Sequence, residues 1–368
     1  MQNPEKTKAI LVDLIHPRMR ASESMERLSE LEELVQTYGG IVIVKTYQRR
    51  FAPHPRTFLG PGKITDLAKE GKSLGAKLLI INDRLKPRQI YNVDELLKGS
   101  GLRVWDRIDM ILKIFAKHAR TTEARLEIEL ASIRHMGPRI FGMGMELSRQ
   151  GGGIGTLGIG ETNTEIMHRH LKKRERRLLE KLEQYQTVRA GHRKSRQRKD
   201  LPMLAIVGYT NAGKTTLLNT LTGRKELAAD ILFATLDTRV GHLYLPNKKK
   251  IALVSDTIGF IKRLPPELLK AFSSTLSEAV EADMLFHVID AGEETMQQKV
   301  RVVEEILGRL GIEGKPRILV LNKIDQLTPE VLKTRMDQLL ETGFPCVPVS
   351  AVNGEGINDL VAAIERWI

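Results

Sequence analysis

Cysteine is almost missing from this chain of 368 residues, with Cys346 standing alone. A single thiol excludes a disulfide framework, leaves no disulfide partner and suits a reducing compartment. In an apolar terminal strand it reads as a small hydrophobe rather than a redox centre. Aromatic residues are sparse at 5%, which points away from a groove that stacks single-stranded bases. No apolar run approaches the length that spans a bilayer, and residues 1–8 are polar and charged without the apolar core of a leader. No membrane association is therefore expected, and a cytoplasmic location is. His16 and His54 have no partner at metal-ligand spacing and read as surface or turn histidines.

The basic excess is missing from one half of the chain. Residues 201–368 hold 19 Lys and Arg against 21 Asp and Glu, while the whole chain holds 58 against 45. Residues 1–200 therefore carry 39 against 24, so a surface for an acidic partner is expected outside the carboxyl-terminal region. The length suits two or three domains with separate cores, and a monomer is expected.

What the carboxyl-terminal region does contain is a full GxxxxGK[ST] loop, Gly208-Tyr209-Thr210-Asn211-Ala212-Gly213-Lys214-Thr215. The apolar run Met203 to Val207 precedes it as a strand, and a helix beginning near Thr216 follows, the context this motif needs. Inward-pointing backbone N–H groups and the helix N-terminus cradle phosphate there. Lys214 supplies a cation for the β- and γ-phosphates, and the Thr215 hydroxyl can ligate Mg²⁺.

A second strand, Lys250 to Val254, delivers Asp256-Thr257-Ile258-Gly259. Asp256 is placed for the Mg²⁺ shell and the Gly259 N–H for the γ-phosphate. A third strand, Arg317 to Leu321, delivers Asn322-Lys323-Ile324-Asp325. A carboxylate at Asp325 can accept two hydrogen bonds from guanine N1–H and N2–H₂, donors that adenine lacks, which selects GTP and GDP over ATP. Cys346 to Val349 then lead into Ser350-Ala351, a base-supporting element. Between the first two motifs, residues 224–240 read as a switch loop. Thr235 is the candidate to sense γ-phosphate and Mg²⁺, with Thr238 as its rival. The candidate catalytic groups are Lys214, Thr235 and Gly259. Leu268, Leu269, Phe272, Leu276 and Ala279 place a helix after Gly259.

Phe260 stands where related switches carry a Gln that orients the attacking water. A phenyl ring holds no water by hydrogen bonds, so slow hydrolysis is expected from the protein alone. Asn211 matches the pattern of potassium-stimulated GTPases, making K⁺ a candidate second cation.

The fold class expected is α/β: a P-loop GTPase domain with a mostly parallel sheet and helices on both faces, preceded by a small α/β domain and a long antiparallel helical hairpin. The expected boundaries are 1–105, 106–200 and 201–368. In the first segment, strands at Ile10 to Ile15, Ile41 to Tyr47, Lys77 to Asn82 and Leu102 to Trp105 alternate with helices near 26–38, 64–71 and 87–97. In the second, one helix is expected over Asp106 to His135 and another over Thr164 to Val188, followed by a basic linker. The Gly-rich loop between them, Gln150 to Glu161, contains a GxGxxG at Gly153, Gly155 and Gly158. It lacks the preceding strand of a dinucleotide site and reads as a tip for close approach to a partner, or as a flexible linker.

From Glu161 to Asp200 there are 13 Lys and Arg against 6 Asp and Glu. Lys172, Lys173, Arg176, Arg177, Arg193 and Lys194 are the candidate contacts to the phosphate backbone of a structured RNA.

Taken together, Gly60-Pro61-Gly62-Lys63, the run from Asp106 to Glu129, the tip ending in Gly160-Glu161-Thr162, and Asp256 to Phe260 resemble the HflX family of ribosome-associated GTPases. The resemblance covers nearly the whole chain. It implies that the α/β domain and hairpin dock on the large ribosomal subunit and its rRNA, with the tip toward the peptidyl-transferase region. It also implies GTP hydrolysis stimulated by ribosomes and, in some members, dissociation of subunits. Leu157-Gly158-Ile159-Gly160 departs from the Arg-Gly-Pro-Gly run common in bacterial members, and the chain runs to Ile368 where some relatives continue into a further domain. The other functions open to such a switch are subunit assembly, RNA modification or regulation through a protein partner.

Overall fold

A computed structural model describes residues 6–150, 163–223, 232–233, 239–263, 268 and 273–368. They form two compact units, one of residues 1–117 with 126–181 and one of residues 118–125 with 182–368. No helix among the described residues is long and apolar enough to cross a membrane.

The first unit is built on a parallel sheet. Strands β1 (Lys8–Ile15), β2 (Ile41–Arg49), β3 (Leu78–Ile81) and β4 (Arg103–Asp106) lie in the order β2-β1-β3-β4. Helices α1 (Ala21–Tyr38), α2 (Pro61–Leu74) and α3 (Pro87–Leu97) connect them. Proline opens α2 and α3 in their first turn, where its missing N–H costs nothing. Ile10, Val12, Leu79 and Ile81 from the sheet bury against Ile64, Leu67, Ile90 and Val93 of the helices. Burying such side chains contributes about 1.5–3 kcal/mol each, the main drive for this layered packing.

The helix expected over 106–135 is two helices, α4 (Arg107–His118) and α5 (Thr122–Gln150). Asp106 ends β4 and caps α4: its Oδ1 accepts from Asp109 N–H at 2.8 Å while Asp109 Oδ2 accepts from Asp106 N–H at 3.1 Å. The break has a local cause, because Thr121 Oγ1 accepts from the Ala124 N–H at 3.2 Å and starts a second helix. The next helix, α6 (Asn163–Arg198), runs ten residues beyond the expected end and takes in the supposed basic linker. In the first unit Arg174 holds Glu129 at 2.6 and 2.9 Å and Arg134 holds Glu175 at 2.8 Å, joining α5 to α6. In the second unit Arg189 reaches Glu123 at 2.7 Å and Arg196 reaches Glu281 at 3.2 Å, giving the basic end of α6 acidic partners that keep it helical. The Gly-rich tip, 151–162, lies outside the described residues.

The second unit carries a six-stranded sheet in the order β10-β9-β8-β5-β7-β6. Its strands are β5 (Met203–Gly208), β6 (Arg239–Leu245), β7 (Lys250–Asp256), β8 (Met284–Asp290), β9 (Arg317–Asn322) and β10 (Cys346–Val349). All pair in parallel except β6, which forms an antiparallel edge on β7. Helices α7 (Lys214–Thr222), α8 (Ser273–Glu281), α9 (Met296–Arg309), α10 (Pro329–Leu340) and α11 (Ile357–Trp367) pack around it. Leu204, Ile206, Val254, Phe286, Val288 and Val320 fill the centre, and β5 is buried along its whole length. Continuous apolar strands of this kind mark a parallel sheet covered on both faces. Burial pushes the Cys346 thiol up to about 11, which keeps it a neutral thiol at neutral pH.

Candidate functional site

The sequence motifs of the second unit meet at the carboxyl ends of β5, β7, β9 and β10. Ligands bind at this edge in open α/β sheets. The loop after β5 turns through Asn211 at φ 64° and Gly213 at φ 87°. Asparagine tolerates the left-handed region better than most residues, and Gly213 has a second constraint: a Cβ there would collide with Asn322 Nδ2. The turn delivers Lys214 and Thr215 at the N-terminus of α7, with Thr216 half-buried behind them.

Lys214 is buried, and its Nζ donates to the Tyr209 carbonyl at 2.7 Å. Burial pushes its ammonium down to about 8, against the pull of the Asp256 carboxylate. Thr215 Oγ1 donates to Asp256 Oδ2 at 2.7 Å. A hydroxyl and a fully buried carboxylate thus converge beside the phosphate loop, the donor set a hard divalent cation prefers.

Phe260 is buried at 1% exposure and stitches the segment after β7 onto the loop. Its N–H donates to Gly208 O at 3.0 Å, and its carbonyl accepts from Thr210 N–H at 2.8 Å. The stitch presses Gly259 against the site, where a Cβ would come within 2.9 Å of Lys214 Nζ and of Thr210 Cα. Tyr209 completes the link, its hydroxyl accepting from Lys262 N–H at 2.9 Å.

At the opposite side of the site Asn322 acts as a buried brace. Its Nδ2 donates to the Ala212 carbonyl at 2.8 Å and its Oδ1 accepts from the Ala351 N–H at 3.0 Å, so the phosphate loop and the 350–351 turn are tied through one side chain. Ser350 Oγ donates to Asp325 Oδ1 at 2.6 Å, orienting that carboxylate. Lys323 adopts φ 67° and pairs with Asp290 at 2.7 Å. Thr220 adds a bond from α7 to the Ala351 carbonyl at 2.6 Å.

The structure therefore brings together Gly208, Asn211, Ala212, Gly213, Lys214, Thr215, Thr216, Asp256, Gly259, Asn322, Lys323, Asp325, Ser350 and Ala351. Thr235 lies outside the described residues. Arg239 and Val240, the last two residues of the stretch read as the switch loop, belong to β6. Asp290 and Tyr209 are members of this site that the motifs did not single out. Asp290 was findable, because Met284 to Ile289 is an apolar run ending in a carboxylate, the same signal that exposed Asp256.

The basic candidates sit on α6. Lys172, Lys173, Arg176 and Arg177 are exposed, on the turns around the buried Leu178. Arg176 pairs with Glu180 at 3.0 Å, an exposed pair worth only a few tenths of a kcal/mol and easily exchanged for another anion. Arg193 lies 3.5 Å from Glu281, and the Lys194 side chain lies outside the described residues.

Comparison with known proteins agrees with this geometry. Three family models match in sequence: "GTP-binding GTPase N-terminal" over 25–116, "GTP-binding GTPase Middle Region" over 118–196, and "50S ribosome-binding GTPase" over 203–323. The chain is similar to a protein of Caldanaerobacter subterraneus subsp. tengcongensis called GTPase HflX, 42% identical over 98% of this chain and 81% of that one. A protein of Escherichia coli with the same name is 39% identical over 95% of this chain and 81% of that one. Among solved structures, a complex of SsGBP with GDP covers 98% of both chains at 28% identity with a TM-score of 0.55.

Proposed function

Since this chain belongs to the GTPase HflX family and is itself a GTPase, we propose that it is a cytoplasmic switch whose GTP state controls its association with the large ribosomal subunit and rRNA, or the dissociation of subunits. The single observation that carries the ribosomal part of this reading is the match of residues 203–323 to the "50S ribosome-binding GTPase" family, and the Asn322 brace, which ties the phosphate loop to the turn beside Asp325, supports the nucleotide part.

In this reading the loop from Gly208 to Thr216 wraps the phosphates with backbone N–H groups, and Lys214 meets the β- and γ-phosphates in place of the Tyr209 carbonyl. Asp325, held by Ser350, accepts from the guanine edge, and Ala351 backs the base. Thr215 and Asp256 would hold Mg²⁺, joined by Thr235; when bound, this ion neutralises charge on the phosphate oxygens. Water attacks the γ-phosphorus, the bond to the β–γ bridging oxygen breaks, and GDP and phosphate leave. Lys214 and the Gly259 N–H face the charge that develops. No side chain at Phe260 orients the water, so the isolated protein hydrolyses GTP slowly and depends on its partner for acceleration.

Asn211, exposed in the phosphate loop, is the candidate ligand for K⁺ near that charge. Steady-state hydrolysis in KCl is expected to exceed that in NaCl, and the advantage to vanish in Asn211→Ala; equal rates in the two salts would remove K⁺ from the mechanism.

The basic face of α6 contacts rRNA phosphates. Replacing both Arg176 and Arg177 by Glu is expected to cut comigration with large subunits on sucrose gradients, in a non-hydrolysable GTP analogue, by roughly ten-fold or more at moderate salt. Nucleotide affinity should stay unchanged. Comigration with small subunits instead would favour an assembly role, and comigration with neither would favour a protein-binding regulator.

A further inference from the structure

In the first unit, the carboxyl ends of β1 and β2 carry a surface that the nucleotide site does not use. The sequence has no Asp or Glu between Glu33 and Asp66, and none between Asp13 and Glu23. These two acid-free stretches meet, because β1 and β2 pair in parallel with Ile15 opposite Arg49 and the Arg50 N–H continues the ladder to the Ile15 carbonyl at 3.0 Å. Arg18, Arg20, Arg49 and Arg56 are exposed there.

Among them stands Phe51, 81% exposed. A single exposed phenyl ring is ordinary on a protein surface; what sets this one apart is the cationic setting and the ring packed against it. Its ring is not adrift: His16 meets it edge to face, with centroids 5.4 Å apart and planes at 79°. His16 is itself fixed, as its Nδ1 accepts from the Arg18 N–H at 3.3 Å. Arg49 donates to the Pro17 and Met19 carbonyls at 2.8 and 3.2 Å, tying the two strand ends together. The loop that follows is pinned as well. Gln89 and Asn92 of α3 donate to the carbonyls of His54 and Arg56 at 3.1 and 2.8 Å, and Thr57 Oγ1 and His54 Nδ1 lie 2.7 Å apart.

We propose that Phe51 is a stacking platform for one unpaired base of an RNA, with Arg18, Arg20 and Arg56 on the flanking phosphates. An aromatic ring with an exposed face, flanked by arginines on two stretches that contain no Asp or Glu, matches the chemistry of a splayed nucleotide: the base covers the ring and the cations meet the backbone. A protein partner would meet the same ring but would need acidic groups to match the arginines. Aromatic residues are few in this chain, and one such ring on a cationic surface offers a stacking face for a single base. The proposal rests on the rRNA partnership argued above and narrows it to a contact made by the first unit.

The test uses the full chain, large ribosomal subunits, and a short RNA hairpin whose loop carries 2-aminopurine. Phe51→Ala, a change at a surface position, should weaken binding to both by roughly ten-fold while leaving the salt dependence of log K unchanged, since a stack neutralises no phosphate. Phe51→Trp should restore binding, and wild-type protein should quench the 2-aminopurine. Arg18→Glu with Arg20→Glu should instead reduce the salt slope. GTP hydrolysis by the free variants should equal wild type. Wild-type binding to subunits and hairpin that Phe51→Ala leaves intact would overturn the platform but not the rRNA reading. Loss of subunit binding with hairpin binding intact would assign the ring to a protein and also overturn it. Failure of wild type to bind either would sink both.

Discussion

Asp325→Asn is expected to turn a GTP-selective protein into one that prefers xanthosine triphosphate. The Asp325 carboxylate, oriented by Ser350 at 2.6 Å, can only accept hydrogen bonds and so matches the N1–H and N2–H₂ donors of guanine. Two hydrogen bonds to a charged acceptor contribute about 3–6 kcal/mol together; Asn keeps one neutral acceptor and sets its N–H₂ against the other guanine donor, so GTP affinity should fall by about 10²–10⁴-fold. Xanthine offers a carbonyl at the position of the guanine amino group, and an Asn amide can donate to it. Titration of both triphosphates into the variant measures the exchange. Retained GTP preference would remove Asp325 from base recognition.

Lys214→Ala should have an effect of comparable size on the chemical step. A preorganised cation at a developing charge contributes about 10²–10³-fold, and hydrolysis should fall by that much. The pH dependence separates the charge from the bulk of this side chain. Burial pushes Lys214 down to about 8, so above that value the free protein holds the neutral amine. Binding a polyanion restores the ammonium, which requires proton uptake. GTP affinity is therefore full below pH ~8 and declines above it, by roughly four-fold between about pH 7 and 8.5. Arg at this position stays charged and should flatten the profile, measured by calorimetry in buffers of differing ionisation heat. A flat wild-type profile would mean that the ammonium persists in the empty site.

The phosphate loop was legible in the sequence because its function lies in backbone geometry that spacing encodes directly. Gly213 must be glycine for its left-handed φ and for Asn322, and Asp256 and Asn322 are announced by the apolar strands that end in them. The alternation in the first unit gave its four strands and three helices for a similar reason, since helices α2 and α3 begin at prolines and their apolar stripes are regular. Contacts between distant side chains were not legible. The break at 119–121 turns on one Thr121 hydroxyl. The helical course of 189–198 depends on Glu123 and Glu281, 66 and 85 residues away from their arginines. The antiparallel edge β6 was readable in the alternation of Gly241, Leu243 and Leu245 on its inner face, but its first two residues fell in the stretch 224–240 that read as loop. The stitch from Phe260 to Gly208 and Thr210 is made wholly by main-chain atoms and leaves no trace in residue type.

The account depends on a guanine-nucleotide engine in residues 203–368 that works through Lys214, Asp256 and Asp325. Isothermal titration of the full chain with GTP and with ATP, each with magnesium, tests this most directly. Saturable one-to-one binding of GTP with ATP at least a hundred-fold weaker, on the order set by two lost charge-assisted hydrogen bonds, is the predicted result. Equal affinity for the two nucleotides, or no heat from GTP, would contradict it.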